Sequence, residues 1–346
     1  MEGTKKQKKQ VSFMKNVLML MVAQVAIKIL GFVYRLVIIN IDGFGDTGNG
    51  YYSTGYQIYS LLLTLSSVGI PTVISKLVSE RVAIGDHKGA HRIFTTALKT
   101  FTTIGLVMSI GLFFGADFIA KNIINVEGVK YTLMVLAPAI MFVTAGAVLR
   151  GYFAGLGTMK PTSVTQTLEQ FLNCVLTILF VYATVGKDTA IMAAAGNLSS
   201  TIAIVIAFIY IIIFYKKQRP EILEDCKNQT VQMETKTTKQ ILKIIFAVSI
   251  PMTIGSLVAE LNGTIDTLTV SNCIQKAFQG IESGKVALEA KAMQLSGMVS
   301  KIETIIRLPL AINAAFCTAL VPAIAASLAR KDKATAVKRL SFSFFF

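Results

Sequence analysis

The stretch at 69–94, GIPTVISKLVSERVAIGDHKGAHRIF, returns in altered form at 320–342 as LVPAIAASLARKDKATAVKRLSF. Each copy has an apolar run, a proline, about ten mixed residues, a basic loop and a closing basic and apolar pair. Pro71 answers Pro322 at an offset of 251, and Arg92 answers Arg339 at an offset of 247, so the second loop is four residues shorter. Around these copies the apolar residues fall in runs of about 20 to 30 separated by short polar stretches, which is the pattern of membrane-spanning helices. Hydrophobic residues are 53% of the 346 and mean hydropathy is +0.62, which excludes an ordinary water-soluble domain. The expected spans are Val17–Ile41, Tyr51–Lys76, Phe94–Ile119, Tyr131–Leu149, Thr162–Tyr182, Ala190–Tyr215, Ile241–Val270 and Ala292–Leu328, with a ninth beginning at Leu340. The first is too long for a secretory leader, and no small-residue cleavage site follows it.

If the second span corresponds to the eighth, the repeat unit is six helices. Six is even, so both copies face the same way, as parallel repeats do about an axis along the membrane normal. The expected organisation is a basic N-terminus at 1–16, a six-helix lobe at 17–215, a polar linker at 216–240 and a second lobe at 241–346. That second lobe has only two helices and the start of a third. The 346 residues alone are therefore expected to insert but not to transport.

The net charge of +15 would point to nucleic acid in a soluble chain, but its placement does not. Basic residues gather at Lys5, Lys6, Lys8, Lys9 and Lys15, at Lys76, Arg81, Lys88, Arg92 and Lys99, at Arg150 and Lys160, along 216–243 and along 330–339. The alternate connections among the first six spans carry only Lys121, Lys130 and Lys187. This alternation obeys the positive-inside rule and places the N-terminus in the cytoplasm, in a multi-pass protein of the cell membrane. The lysines at 5–9 set topology or touch anionic membrane lipid.

Other motifs carry less. Cys174 and Cys317 fall within spans, Cys226 in a cytoplasmic loop and Cys273 in an outer one, so an impermeant maleimide should reach Cys273 and not Cys226. No CxxC spacing indicates a disulfide framework or a zinc site. His87 and His91 are four apart, but no Cys or carboxylate pattern completes a metal set, so no metal is expected. The glycines of GFGDTGNGYY and RGYFAGLGTMK lack phosphate-loop spacing and are expected to form tight turns between helices.

The informative residues are ionised groups inside the spans. VAIKILGFVYRL, at 25–36, holds Lys28 and Arg35 seven residues apart, on one helical face. A cation at the centre of a lipid-facing helix costs roughly 2.5–3.5 kcal/mol on insertion scales, so such groups face a bundle interior or a wet cavity. Arg35 can alternatively snorkel to headgroups. The eighth span adds Lys301, Glu303 and Arg307, the last just before Pro309; Arg307 faces the cavity or pairs with Glu303. Lys28, Arg35, Lys301 and Arg307 are the candidate substrate-binding cations, because guanidinium forks and ammonium groups suit phosphate oxygens in a partly dehydrated site. Glu169, Glu260 and Glu303 are candidates to neutralise those cations or to bind a coupling Na⁺ or H⁺. No catalytic residue and no cofactor are expected. Thr165, Gln166, Thr167, Gln170 and Asn173 make the fifth span polar, as helix glue or as cavity wall.

Four motifs carry a resemblance: GIPTVISKLVSE with GDHKGAHRIF, RGYFAGLGTMKPTSVTQTLEQ, and RLPLAINAAFCTALVPAIAASLA. In this order they resemble the polysaccharide-transporter branch of the multidrug/oligosaccharidyl-lipid/polysaccharide (MOP) exporter superfamily, in particular its stage V sporulation protein B-like lipid-linked oligosaccharide flippases. The resemblance implies an all-α membrane protein, a MATE/MOP-type bundle of two six-helix lobes around a central cavity. It also implies export of undecaprenyl-pyrophosphate-linked saccharide by a monomer, with no nucleic acid partner. Two alternatives stay open. A multidrug cation antiporter of the same fold would show a cavity dominated by acids and aromatics, and a fragment would not transport at all. A polyprenyl-phosphate sugar transferase would need an extramembrane domain or an acidic metal motif that this sequence lacks.

Overall fold

The computed structural model describes residues 30–67, 69–229, 237–282 and 284–306. Nine helices hold them: α1 Leu30–Ile39, α2 Gly45–Ser67, α3 Ile70–Ala83, α4 His87–Phe118 with a π-helical turn at Ile119–Ile124, α5 Val129–Gly155, α6 Lys160–Ala183, α7 Thr189–Asn228, α8 Thr238–Phe278, and α9 from 285 to 306. Among the described residues there is no β-strand, and six segments are long and apolar enough to cross a membrane. These six are the second to seventh expected spans. The chain is an all-α, multi-pass membrane protein. By internal packing it divides into one unit of Tyr34–Ser300 and a second of Met1–Val33 with Lys301–Phe346. Of the second unit only 30–33 and 301–306 are described, as ends of α1 and α9.

The quoted GIP motif is a break in one span. Gly69 takes φ +84°, where a side chain would be strained, and Pro71 opens α3 in its first turn, where a missing N–H leaves no bond unmade. The chain therefore crosses as two helix pieces, α2 and α3. Asp86 then starts α4 by accepting from the Gly89 amide at 2.8 Å, and Arg81 at the end of α3 donates to the same carboxylate at 2.8 Å. Asp188 caps α7, and Thr237 with Gln240 forms a capping box on α8.

Helix α5 is apolar around its circumference and buried on most sides, as expected of the central member of a bundle. Its glycines set the closeness of packing. A methyl at Gly151 would fall 2.7 Å from the Pro71 carbonyl oxygen, and one at Gly155 would fall 2.7 Å from Val78 Cβ. Small residues at a four-residue spacing let helix backbones approach where lipid offers no hydrophobic drive. So in RGYFAGLGTMK only Gly157, at φ +85°, serves the expected turn; the other two are helix-packing residues. Likewise Gly43 and Gly45 turn the chain, whereas Gly48 and Gly50 lie in α2.

Side chains on α4, α6, α7 and α8 that point away from the bundle are apolar and exposed, among them Phe114, Phe118, Tyr182, Ile213 and Val258, which forms the lipid-facing surface. Two further expectations need correction. Cys226 is not in a loop: α7 continues thirteen residues past Tyr215, and Cys226 is 7% exposed within it. Helical hydrogen bonds are local, so the helix outlasts its apolar pattern. A failure to label Cys226 from outside therefore reports burial as well as sidedness. Arg150 is not in a connecting loop either. It sits five residues before the end of α5, roughly 7.5 Å inside.

Candidate functional site

One face of α2 presents Tyr52, Tyr56, Tyr59 and Ser60, at helical spacings of four, seven and eight. Tyr34 of α1 meets it, with its hydroxyl 3.3 Å from that of Tyr52. The charge of Arg35 acts on both Tyr52 and Tyr56, and those of Glu169 on α6 and Glu260 on α8 act on Tyr56. Tyr56 is nevertheless 40% exposed. This face of α2 is therefore polar and partly open, and ionised groups from three other helices stand around it.

Glu260 is held to this face by hydrogen bonds. Gln57 Nε2 donates to Glu260 Oε2 at 3.2 Å and Ser60 Oγ donates to the same oxygen at 3.1 Å. The Gln57 amide also reaches Thr264 Oγ1 at 3.4 Å. Gly263 leaves room for it, since a methyl there would stand 3.1 Å from Gln57 Nε2. Among the described residues no cation lies within 4 Å of Glu260, so its charge meets dipoles only. Glu169 faces the same interior, where its charge acts on Tyr56, Tyr59 and Arg150. The Tyr59 hydroxyl, in a side chain 1% exposed, has no hydrogen-bond partner among the described residues.

Of the sequence candidates, Arg35, Glu169 and Glu260 thus stand around one face of α2. Lys301 and Glu303 lie in the described end of α9, half-buried, in the other unit. Lys28 and Arg307 lie outside the described residues. Sequence reading missed Arg150 as an interior cation and Gln57 and Ser60 as holders of Glu260. Arg150 was legible as a span residue from its distance to Pro161, but the positive-inside count absorbed it. The polar run on α6 resolves in part as glue. Asn173 Oδ1 accepts from Ser199 Oγ at 2.8 Å, Ser200 Oγ at 3.1 Å and Thr177 Oγ1 at 3.1 Å, tying α6 to α7, and Thr165 bonds to its own helix backbone.

At the end of the bundle away from the basic loops, α2 and α9 close on one another. A methyl on Gly297 of α9 would fall inside contact with the Asp46 carbonyl oxygen, and one on Gly50 would do the same with the Met293 carbonyl oxygen, so α2 and α9 touch backbone to backbone. Asn49 Nδ2 donates to the Gly297 carbonyl at 2.8 Å in the middle of this seam. Beside it the Glu127 amide donates to Glu289 Oε2 at 3.0 Å, and Lys285 Nζ lies 2.6 Å from Glu127 Oε1. The hydrogen bond from Lys285 holds the Glu127 carboxyl below its ordinary range, while burial pushes Glu289 up. The Glu127 contact therefore holds above the usual carboxylate pKa and is lost as pH falls through the lowered value. Asn125 Nδ2 donates to Asn272 Oδ1 at 2.6 Å and completes the closure.

This arrangement, a helical bundle with ionised groups among its helices, has relatives. Stage V sporulation protein B of Bacillus subtilis (strain 168) is 29% identical over 327 residues, covering 92% of this chain and 59% of that protein. The lipid II flippase MurJ of the same organism is 24% identical, covering 87% of this chain and 55% of that one. The chain thus spans under two thirds of the length of these relatives. Among solved structures, the inward-facing conformation of a multidrug resistance MATE family transporter of the MOP superfamily superimposes with a TM-score of 0.61 at 16% identity, over 93% of this chain and 69% of that one. That likeness establishes the MATE/MOP-type fold. Residues 13–328 match the family described as polysaccharide biosynthesis protein, and the chain belongs to that family.

Proposed function

We propose that this protein translocates a polyprenyl-pyrophosphate-linked saccharide outward across the cytoplasmic membrane, with its basic loops and N-terminus on the cytoplasmic side. The observation that carries the reading is Arg35, a permanent cation in α1 beside Tyr34, whose hydroxyl stands 3.3 Å from that of Tyr52 on the tyrosine face of α2. A guanidinium there suits a diphosphate, and tyrosines with polar tips suit a saccharide. The two relatives support the lipid-linked class of substrate, one of them by the name lipid II flippase. The acids and tyrosines would also suit an organic cation, but Arg35 and Arg150 repel one, so the flippase is the better reading. Lys28, Lys301 and Arg307 are retained as proposed substrate-binding cations. Transport needs no cofactor and no enzymatic step. An inside-negative potential favours outward movement of the anionic head group by roughly 2.3 kcal/mol per charge per 100 mV.

The test is binding of undecaprenyl diphosphate to the purified chain in phosphatidylcholine nanodiscs. Arg35→Gln should weaken binding at least tenfold, which is about 1.4 kcal/mol. Arg35→Lys should recover only part of that loss, since an ammonium cannot form the two-pronged contact. Unchanged affinity in Arg35→Gln, or no saturable binding by the parent, overturns the reading.

A further inference from the structure

The proposed function leaves Arg150 without a ligand and Glu169 without a role in binding, and their geometry is specific. Arg150 lies on α5, whose N-terminal end is away from the basic loops, and helical side chains lean toward the N-terminus of their helix. The guanidinium follows that direction: Nη1 stands 3.7 Å from where a Cβ on Gly146 would be, one turn deeper in the span. Glu169 lies on α6, which runs the opposite way and begins at Lys160 on the basic side, so its side chain leans back toward Arg150. The carboxylate is nine residues, roughly 13 Å, along its helix, and Arg150 roughly 7.5 Å from the end of its own. The two charges act on one another.

They do not close on one another. Among the described residues neither side chain makes an ion pair within 4 Å or a hydrogen bond, yet none of their polar atoms is sealed from solvent. Both side chains are half-buried. A structural ion pair inside a membrane bundle would be in contact, because an unpaired charge in hydrocarbon is costly. An interior cation and an interior carboxylate on successive helices, neither satisfied by a contact among the described residues, are open to a third group. Both stand in the basic-loop half of their helices, Arg150 five residues from the end of α5 and Glu169 nine from the start of α6.

We propose that Arg150 is a further anion-binding residue, the first cation met by a diphosphate entering from the basic-loop side, and that Glu169 is its resting counter-charge, left behind when the diphosphate takes the guanidinium. The proposal rests on the flippase reading. It assigns the pair opposite effects: Arg150 attracts the ligand and Glu169 competes with it.

Undecaprenyl diphosphate binding in phosphatidylcholine nanodiscs, alongside thermal unfolding, tests it. Arg150→Gln should weaken binding tenfold or more. Glu169→Gln should tighten it about threefold to tenfold, because the amide keeps the shape and removes the competing charge. Opposite shifts of this kind, with the same shifts absent when phosphatidylglycerol headgroups in nanodiscs replace the added diphosphate, support the assignment. Binding that is equal to the parent's in Arg150→Gln, or weakened in Glu169→Gln with a lowered unfolding temperature, makes the pair a structural one and overturns it. If the parent itself fails to bind, the functional reading falls as well; if the parent binds and only these shifts are missing, this inference alone fails.

Discussion

Gly297→Leu should part α9 from α2 at the end of the bundle away from the basic loops. The backbone of α9 meets that of α2 at Asp46 and Gly50, and even a methyl at 297 would collide with a carbonyl oxygen that belongs to a helix and cannot step aside. Overpacking of this kind costs about 1–3 kcal/mol, and every ~1.4 kcal/mol shifts a closed-to-open ratio tenfold. The displaced state also breaks the bond from Asn49 to the Gly297 carbonyl. Thr54 is a suitable reporter, being 1% exposed and one turn below Gly50. With the native cysteines replaced, a cysteine in place of Thr54 should react with a water-soluble maleimide at least tenfold faster in the Gly297→Leu background than in the parent. Gly50→Leu should do the same, since it strikes the same seam from the other helix. Unchanged labelling with an unchanged unfolding temperature would mean that the helices absorb the side chain elsewhere and that the seam does not determine closure.

How much of this could be read beforehand differs by kind of residue. Apolar run length located the spans, because the thickness of hydrocarbon dictates it. The GIP break was not expected within the span Tyr51–Lys76, although a glycine followed two residues later by proline meets the local requirements of a positive φ and a helix's first turn. The seam was not legible. Gly50 and Gly297 are separated by 247 positions, and nothing in either sequence neighbourhood tells which face of α2 meets which face of α9. Gly50 was read as a turn residue for the same reason: a glycine that admits a neighbouring backbone looks identical to one that reverses the chain. Glu260 was legible as an expensive ionised group inside a span, but Gln57 and Ser60 are ordinary polar residues until α2 is set against α8. Arg150 failed differently, since a rule about loop charge claimed it first. The position of a charge relative to a helix end decides between the two roles, and boundaries are what a sequence fixes least well.

Glu260 gives the other large effect, and two substitutions separate its shape from its charge. In Glu260→Leu both bonds to the Oε2 carboxylate oxygen are lost, leaving Gln57 the Glu260 carbonyl and Thr264 Oγ1, both at 3.4 Å, and Ser60 the Gln57 carbonyl at 2.9 Å on its own helix. Hydrogen bonds to a charged group contribute about 1.5–3 kcal/mol each, and these two are what tie α2 to the carboxylate of α8. The leucine variant should therefore unfold several degrees below the parent. Glu260→Gln keeps an acceptor oxygen at the same place, so it should unfold within a degree or two of the parent and differ in charge alone. The charge then has two distinguishable uses. If it binds a coupling Na⁺, replacing choline chloride by sodium chloride at equal ionic strength should stabilise the parent and not the glutamine variant, by an amount that grows with the logarithm of concentration. If it balances the interior guanidiniums, Na⁺ should do nothing specific and Glu260→Gln should tighten diphosphate binding, as proposed for Glu169. The contacts favour the second outcome. Oε2 is already occupied by two donors from α2, Gln57 Nε2 and Ser60 Oγ, which would have to turn away to make room for a cation. A sodium-specific stabilisation that disappears in Glu260→Gln would reverse that preference and make α8 the site of coupling.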